Sequence, residues 1–192
     1  MIALKRPECP NPDALDKRIY NDPVNKEALR KSTSGKCMYC ESKMEPISYA
    51  HVEHIKPKSK FPELEFEWTN LGFSCQICNT NKGSKYDETL HFVNPYDEVP
   101  EVYLVFLGFY VFPKKGSERG EYTINEIDLN RPGLIDRRKD KLEEIDKFIK
   151  SAKRTSNQSL RKKAIEELKK YAETDKEYSA MIKYMFIAEG IL

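Results

Sequence analysis

The sequence predicts an α+β chain built on a small metal-stapled core, followed by a short β-hairpin and a C-terminal α-helical region. Three observations carry this. Two C-x-x-C pairs, Cys37/Cys40 and Cys75/Cys78, bracket a histidine-rich stretch. The most apolar run, residues 101–113, is split by Gly108. Beyond Pro132, apolar residues recur at helical spacing.

The cysteines come first because they fix the core. A C-x-x-C lets two thiolates reach one ion from a single tight turn. Two such turns complete a closed tetrahedral site of four thiolates, a usual form of structural zinc. Paired redox motifs would be expected near a βαβ pattern, which the sequence lacks. The absence of a secretory signal disfavours disulfides and points to a cytoplasmic setting. Cys9, in C-P-N-P, has no partner at metal spacing and reads as a free or packing cysteine.

A second set of residues has no part in stapling zinc. Glu53 and His54 are adjacent, and Asn79 directly follows the last cysteine. A carboxylate and an amide oxygen are hard ligands suited to Mg2+ or Mn2+. A neutral imidazole can take a proton from water at neutral pH. Together they suit metal-assisted hydrolysis of a phosphodiester, with His54 deprotonating the attacking water.

In order, C-M-Y-C, V-E-H-I-K-P-K-S, N-L and C-Q-I-C-N-T-N-K-G resemble the HNH endonucleases, the ββα-metal nucleases, in their four-cysteine zinc branch. The resemblance implies His54 as general base and Asn70 as the Asn bracing the loop between the strands. It implies Asn79 and Glu53 as catalytic-metal ligands, with Asn in place of a frequent His and Glu in place of Asp. The later pattern T-I-x-x-I-x-L-N-x-x-x-L-x-x-R, from Thr123 to Arg137, is similar to the PtuB-type subgroup found beside retrons and in Septu-type anti-phage systems. That similarity implies a defence role beside an AAA/ABC-type, PtuA-like ATPase. A non-catalytic zinc-ribbon module that binds nucleic acid is the alternative, but it has no use for Glu53, His54 and Asn79 together.

Charge distribution says where phosphate would be met. The net charge is only +2, with 39% hydrophobic and 33% charged residues, so the chain is globular rather than disordered. Counted along the sequence, the charge is +4 for residues 1–60, −7 for 61–130, +7 for 131–170 and −2 for 171–192. Nucleic acid, DNA favoured over RNA, would lie along the basic blocks. No apolar run reaches membrane-spanning length.

The chain divides into an arm and helix (1–34), the core with its β extension (35–130) and the helical region (131–192). The proline-rich residues 1–23 read as an extended arm, and 24–33 as a short helix. Residues 46–55 alternate and suggest the first strand, ending or bending near Glu53 so that Glu53 and His54 can serve one site. F-P-E-L-E-F-E-W at 61–68 alternates glutamate with apolar residues and predicts the second strand. A short helix carries Cys78, Asn79 and Lys82. Lys56, Lys58, Lys82, Lys85 and His51 are candidate phosphate contacts. Residues 101–113 predict two short strands, and K-K-G-S-E-R-G a turn. Three helices follow from Leu134, and the apolar end after Tyr178 is expected to meet a partner or to fold back on the chain's own core.

Overall fold

The computed structural model describes residues 1–44 and 50–192. The predicted strand residues 46–49 lie outside these.

α1 (Pro12–Asp16) is a single turn within the proline-rich arm. α2 (Pro23–Ser32) begins where Asp22 accepts hydrogen bonds from the amides of Val24 and Asn25, with proline at the first helical position. Gly35, at φ +72°, then turns the chain into the first cysteine loop.

β1 (Ala50–His54) pairs antiparallel with β2 (Leu71–Cys75), in register from Ala50↔Cys75 to His54↔Leu71. β1 ends at His54, as the expected ending near Glu53 requires. α3 (Gln76–Lys82) follows β2 without a break and packs on both strands. β2 is buried throughout, and a Cβ on Gly72 would stand 2.4 Å from Met38 Sδ. Any larger residue there would push the Met38 side chain aside, so glycine suits this close approach of strand and cysteine loop.

The second strand is not where the glutamate alternation predicts it. Residues 61–68 form 3-10 turns at Pro62–Leu64 and, continuing to Asn70, at Trp68–Asn70. Pro62 cannot donate to a strand ladder. The Asn70 side chain also binds this loop back on itself, leaving L-G-F-S-C to pair with β1.

β3 (Leu104–Leu107) and β4 (Tyr110–Pro113) form the expected hairpin, turning at Gly108 with φ +60°. The turn predicted for 114–120 is shorter than expected. Its last three residues already belong to α4 (Glu118–Ile127), capped by the Ser117 hydroxyl, which accepts from the Gly120 amide. α4 packs on α3 and β4. α5 (Pro132–Arg154), α6 (Gln158–Lys169) and α7 (Ser179–Ala188) supply the three predicted helices.

One buried apolar cluster runs from Leu29 through the cysteine loops, β2 and the hairpin to Ile145, Leu168, Met181 and Phe186. The end of the chain folds back on its own core. Ile182 and Phe186 are fully buried, the Ser179 hydroxyl donates to Glu41 Oε2 at 2.9 Å, and the Tyr178 and Ser42 hydroxyls are 2.9 Å apart. Lys36 Nζ donates to the carbonyls of Thr174 (2.6 Å) and Lys176 (2.9 Å). The apolar stripe of α7 is therefore spent within the chain.

Candidate active site and metal centre

Cys37 and Cys40 come from the loop after α2, Cys75 from the end of β2, and Cys78 from the first turn of α3. All four are buried, and their Sγ atoms lie within 4.8 Å of one another. Cys40 and Cys75 Sγ are 3.9 Å apart. Zinc–sulfur bonds of about 2.3 Å in a tetrahedron set sulfurs about 3.8 Å apart, so the four are placed to bind one metal ion. Two donors approach the sulfurs. The Cys78 amide donates to Cys75 Sγ at 3.4 Å, and Arg131 Nη1 lies 3.6 Å from Cys78 Sγ. Despite the cost of its burial, the neighbouring thiolates hold the Arg131 guanidinium above its ordinary value. Cys9 stands apart, its Sγ 3.5 Å from Asn25 Oδ1.

A cleft of about 340 Å³ opens between β1, the loop that follows it and the end of α3. It is lined by His51, Glu53 and His54 of β1, by Pro57, Lys58 and Ser59 of the following loop, and by Asn79, Gly83 and Ser84 at α3. Tyr20, from the N-terminal arm, closes one wall. The structure thus brings together His51, Glu53, His54, Lys58 and Asn79 from separate parts of the sequence.

His54 is held by its ring. Nε2 lies 3.0 Å from the carbonyl oxygen of Glu65, and Tyr20 packs edge-on at 4.7 Å. A carbonyl only accepts, so Nε2 carries the hydrogen and Nδ1 keeps the lone pair. Burial lowers the His54 pKa against the opposing pull of that carbonyl, which favours a neutral ring at pH 7.

Asn70 makes the loop that presents Glu65. Its Oδ1 accepts from the Lys56 amide at 2.7 Å, and its Nδ2 donates to the carbonyls of Lys56 and Leu64, each at 3.0 Å.

Glu53 is 1% exposed. Its Oε1 is 2.6 Å from Lys82 Nζ, and Oε2 has no hydrogen-bond partner. Burial outweighs the Lys82 ammonium and raises the Glu53 pKa to about 6. Glu53, with its orphaned carboxylate oxygen, and the half-buried Asn79 line the same cleft, and oxygen donors of this kind fit a hard divalent cation.

The lysines divide. Lys82 is buried, its ammonium taken by Glu53 and the His54 carbonyl, so the expected phosphate contact there is corrected. Lys58 is exposed at the cleft, 3.0 Å from Glu65 Oε1 and 4.5 Å above the Tyr20 ring. Lys56 is exposed but lines a neighbouring cavity with Tyr86 and His91. Lys85 pairs with Glu126 at 2.9 Å and is not among the cleft's lining residues. Three residues had no sequence signal: Tyr20, Arg131, and Tyr39, whose buried hydroxyl lies near Glu53.

The HNH endonuclease family model matches residues 37–85, the span of both cysteine pairs and the cleft residues of β1 and α3. The resemblance carried by those motifs holds, and the chain carries an HNH endonuclease-family domain. It is also similar to Septu protein PtuB from Bacillus thuringiensis, 31% identical over 145 residues, 68% of this chain and 55% of that one. Septu protein PtuB of Bacillus mycoides (strain KBAB4) is 31% identical over 151 residues, covering 62% of this chain and 51% of that one. A protein named for an HNH endonuclease of retron Vc95 from Vibrio cholerae is 28% identical over 142 residues, 66% of this chain and 67% of that one. The chain spans about half the length of the two Septu relatives. Among the described residues no helix is long and apolar enough to cross a membrane.

Proposed function

We propose that this chain is a metal-dependent HNH endonuclease that hydrolyses phosphodiester bonds, built on a ββα-metal core with a structural zinc at the four cysteines. The observation that carries the reading is the pinned imidazole. With Nε2–H directed at the Glu65 carbonyl, His54 Nδ1 is left to take a proton from water in the cleft. Asn70 maintains that geometry from behind by holding the loop. Glu53 Oε2 and Asn79 would hold Mg2+ or Mn2+, which when bound polarises the phosphate and stabilises the leaving oxygen. Lys58 at the cleft, His51 within it and the net-positive segment 131–170 offer contacts to the nucleic-acid backbone, DNA before RNA.

The similarity to Septu and retron proteins supports a place in anti-phage defence, with an AAA/ABC-type ATPase as partner. One assay tests both levels. Purified chain is incubated with DNA or RNA in Mg2+ or Mn2+, with and without the product of a neighbouring ATPase gene. Cleavage by the wild type and none by His54→Ala is expected. Binding without cleavage in every metal, with or without the ATPase, would leave a zinc-stapled binding module instead.

A further inference from the structure

Lys82 ends α3 with an ammonium that is removed from water, at 1% residue exposure. Two oxygens of β1 take it: Glu53 Oε1 at 2.6 Å and the backbone carbonyl of His54 at 2.8 Å. The Phe92 ring closes over it, 5.7 Å from Nζ. A buried charge is costly unless it is paired and hydrogen-bonded, and an apolar side chain of similar volume is often as stable there. Stability alone therefore gives weak grounds for a lysine at this position.

Its two partners give better grounds. His54 is held at two points, by the Glu65 carbonyl on its ring and by Lys82 on its own carbonyl. The first fixes the tautomer and direction of the imidazole, and the second fixes the backbone from which it projects. The same ammonium turns Glu53 Oε1 toward α3 and leaves Oε2 as the unengaged oxygen. α3 carries Cys78 in its first turn and Lys82 at its end, four residues on. About one helical turn thus joins the cysteine cluster to the backbone of His54.

We propose that Lys82 is a positioning residue of the hydrolytic site. It sets the placement of the His54 imidazole and the orientation of the Glu53 carboxylate, and it never touches the nucleic acid. This rests on the cleft being the nuclease site. It also predicts that a disturbance of the cysteine cluster reaches His54 through Lys82.

The test compares Lys82→Met and Lys82→Arg with wild type in the full chain. Four readouts are taken: kcat and KM for DNA cleavage, the salt dependence of DNA binding, bound zinc per chain, and the 15N resonances of the His54 ring. Misplacing a catalytic group by about 1 Å costs on the order of 100-fold. Lys82→Met should lose about that much in kcat, with KM, salt slope and zinc content as in wild type. Its His54 resonances should show loss of the single Nε2–H tautomer. Lys82→Arg, which can still donate to both oxygens, should recover part of kcat. A raised KM, with a salt slope smaller by about one, would mark Lys82 as a phosphate contact and overturn the proposal. Unchanged kcat would overturn it too. Should Lys82→Met not fold, Lys82→Met/Glu53→Gln removes the stranded carboxylate and the same His54 spectra decide. If wild-type protein cleaves nothing in any metal, with or without the ATPase, the nuclease reading fails by itself. The His54 spectra still judge Lys82, and spectra unchanged by its loss refute the positioning role.

Discussion

Asn70→Ala is the most informative single substitution, because it leaves both metal-ligand sets and the catalytic imidazole chemically intact. Asn70 is 6% exposed and makes three side-chain hydrogen bonds, to the Lys56 amide at 2.7 Å and to the Lys56 and Leu64 carbonyls at 3.0 Å. A net hydrogen bond is worth about 1 kcal/mol, and a buried group left unpaired costs about 1–3 kcal/mol. Water can reach the exposed Lys56 more readily than the half-buried Leu64, so a loss of about 2–3 kcal/mol is expected rather than the maximum. The functional effect should be larger than the thermodynamic one suggests. The loop that Asn70 closes carries Glu65, whose carbonyl orients the His54 ring. Freeing it releases the imidazole by an ångström or so, which is worth about 100-fold in rate. Urea unfolding followed by circular dichroism measures the first effect, and single-turnover cleavage measures the second. Asn70→Asp should be worse than Ala in stability, since it sets a carboxylate oxygen against two carbonyls that now receive a donor. Asn70→Ala unfolding within about 0.5 kcal/mol of wild type and cleaving at its rate would refute the claim that this side chain builds the loop.

The remaining expectations can be checked in parallel. Cys37→Ser or Cys78→Ser should release the bound metal and unfold the core, because structural zinc contributes roughly 10 kcal/mol or more of folding energy; elemental analysis finding no zinc in folded wild-type protein would refute this. His54→Ala should reduce cleavage about 100- to 10,000-fold with zinc content preserved and only the small loss of stability that the Glu65 hydrogen bond and the Tyr20 contact supply, and wild-type cleavage by that variant would remove His54 from the mechanism. Cleavage should fall on the acid side, because His54, whose pKa burial holds below the ordinary imidazole value, must be neutral to take a proton from water. A rate that shows no fall at any pH down to the onset of acid unfolding would contradict the assignment. Deleting residues 174–192 exposes the core that Ile182 and Phe186 fill and removes the Thr174 and Lys176 carbonyls from Lys36 and the Ser179 hydroxyl from Glu41. The shortened chain should therefore precipitate or lose its metal, and a soluble, zinc-loaded product would show that α7 is dispensable.

The sequence by itself determined what depends on local spacing. Two C-x-x-C turns need only a few residues each to aim their thiolates, so the cysteine cluster was legible before any fold was known. The same holds for the hairpin at Gly108, where a positive φ marks the turn, and for α5 to α7, whose apolar residues repeat at helical period. Adjacency likewise placed Glu53 beside His54, the HNH resemblance added Asn79, and all three line one cleft.

Tertiary structure decided what depends on long-range competition. The alternation at 61–68 describes a half-buried strand equally well as a looped segment with its apolar side chains turned inward. The Asn70 hydrogen bonds and Pro62 settle that ambiguity, and β2 forms further on. Lys82 reads as a solvent-facing lysine because no local pattern reveals a carboxylate 29 residues earlier; only the packing of α3 on β1 buries the two together. Tyr20 reaches His54 from an arm with no motif, and Arg131 reaches the cysteine cluster from the start of α5. The apolar stripe of α7 named no target. Burial is non-directional, so its destination was fixed only where the Ser179 hydroxyl and the Lys36 ammonium met hydrogen-bond partners across 138 residues of chain.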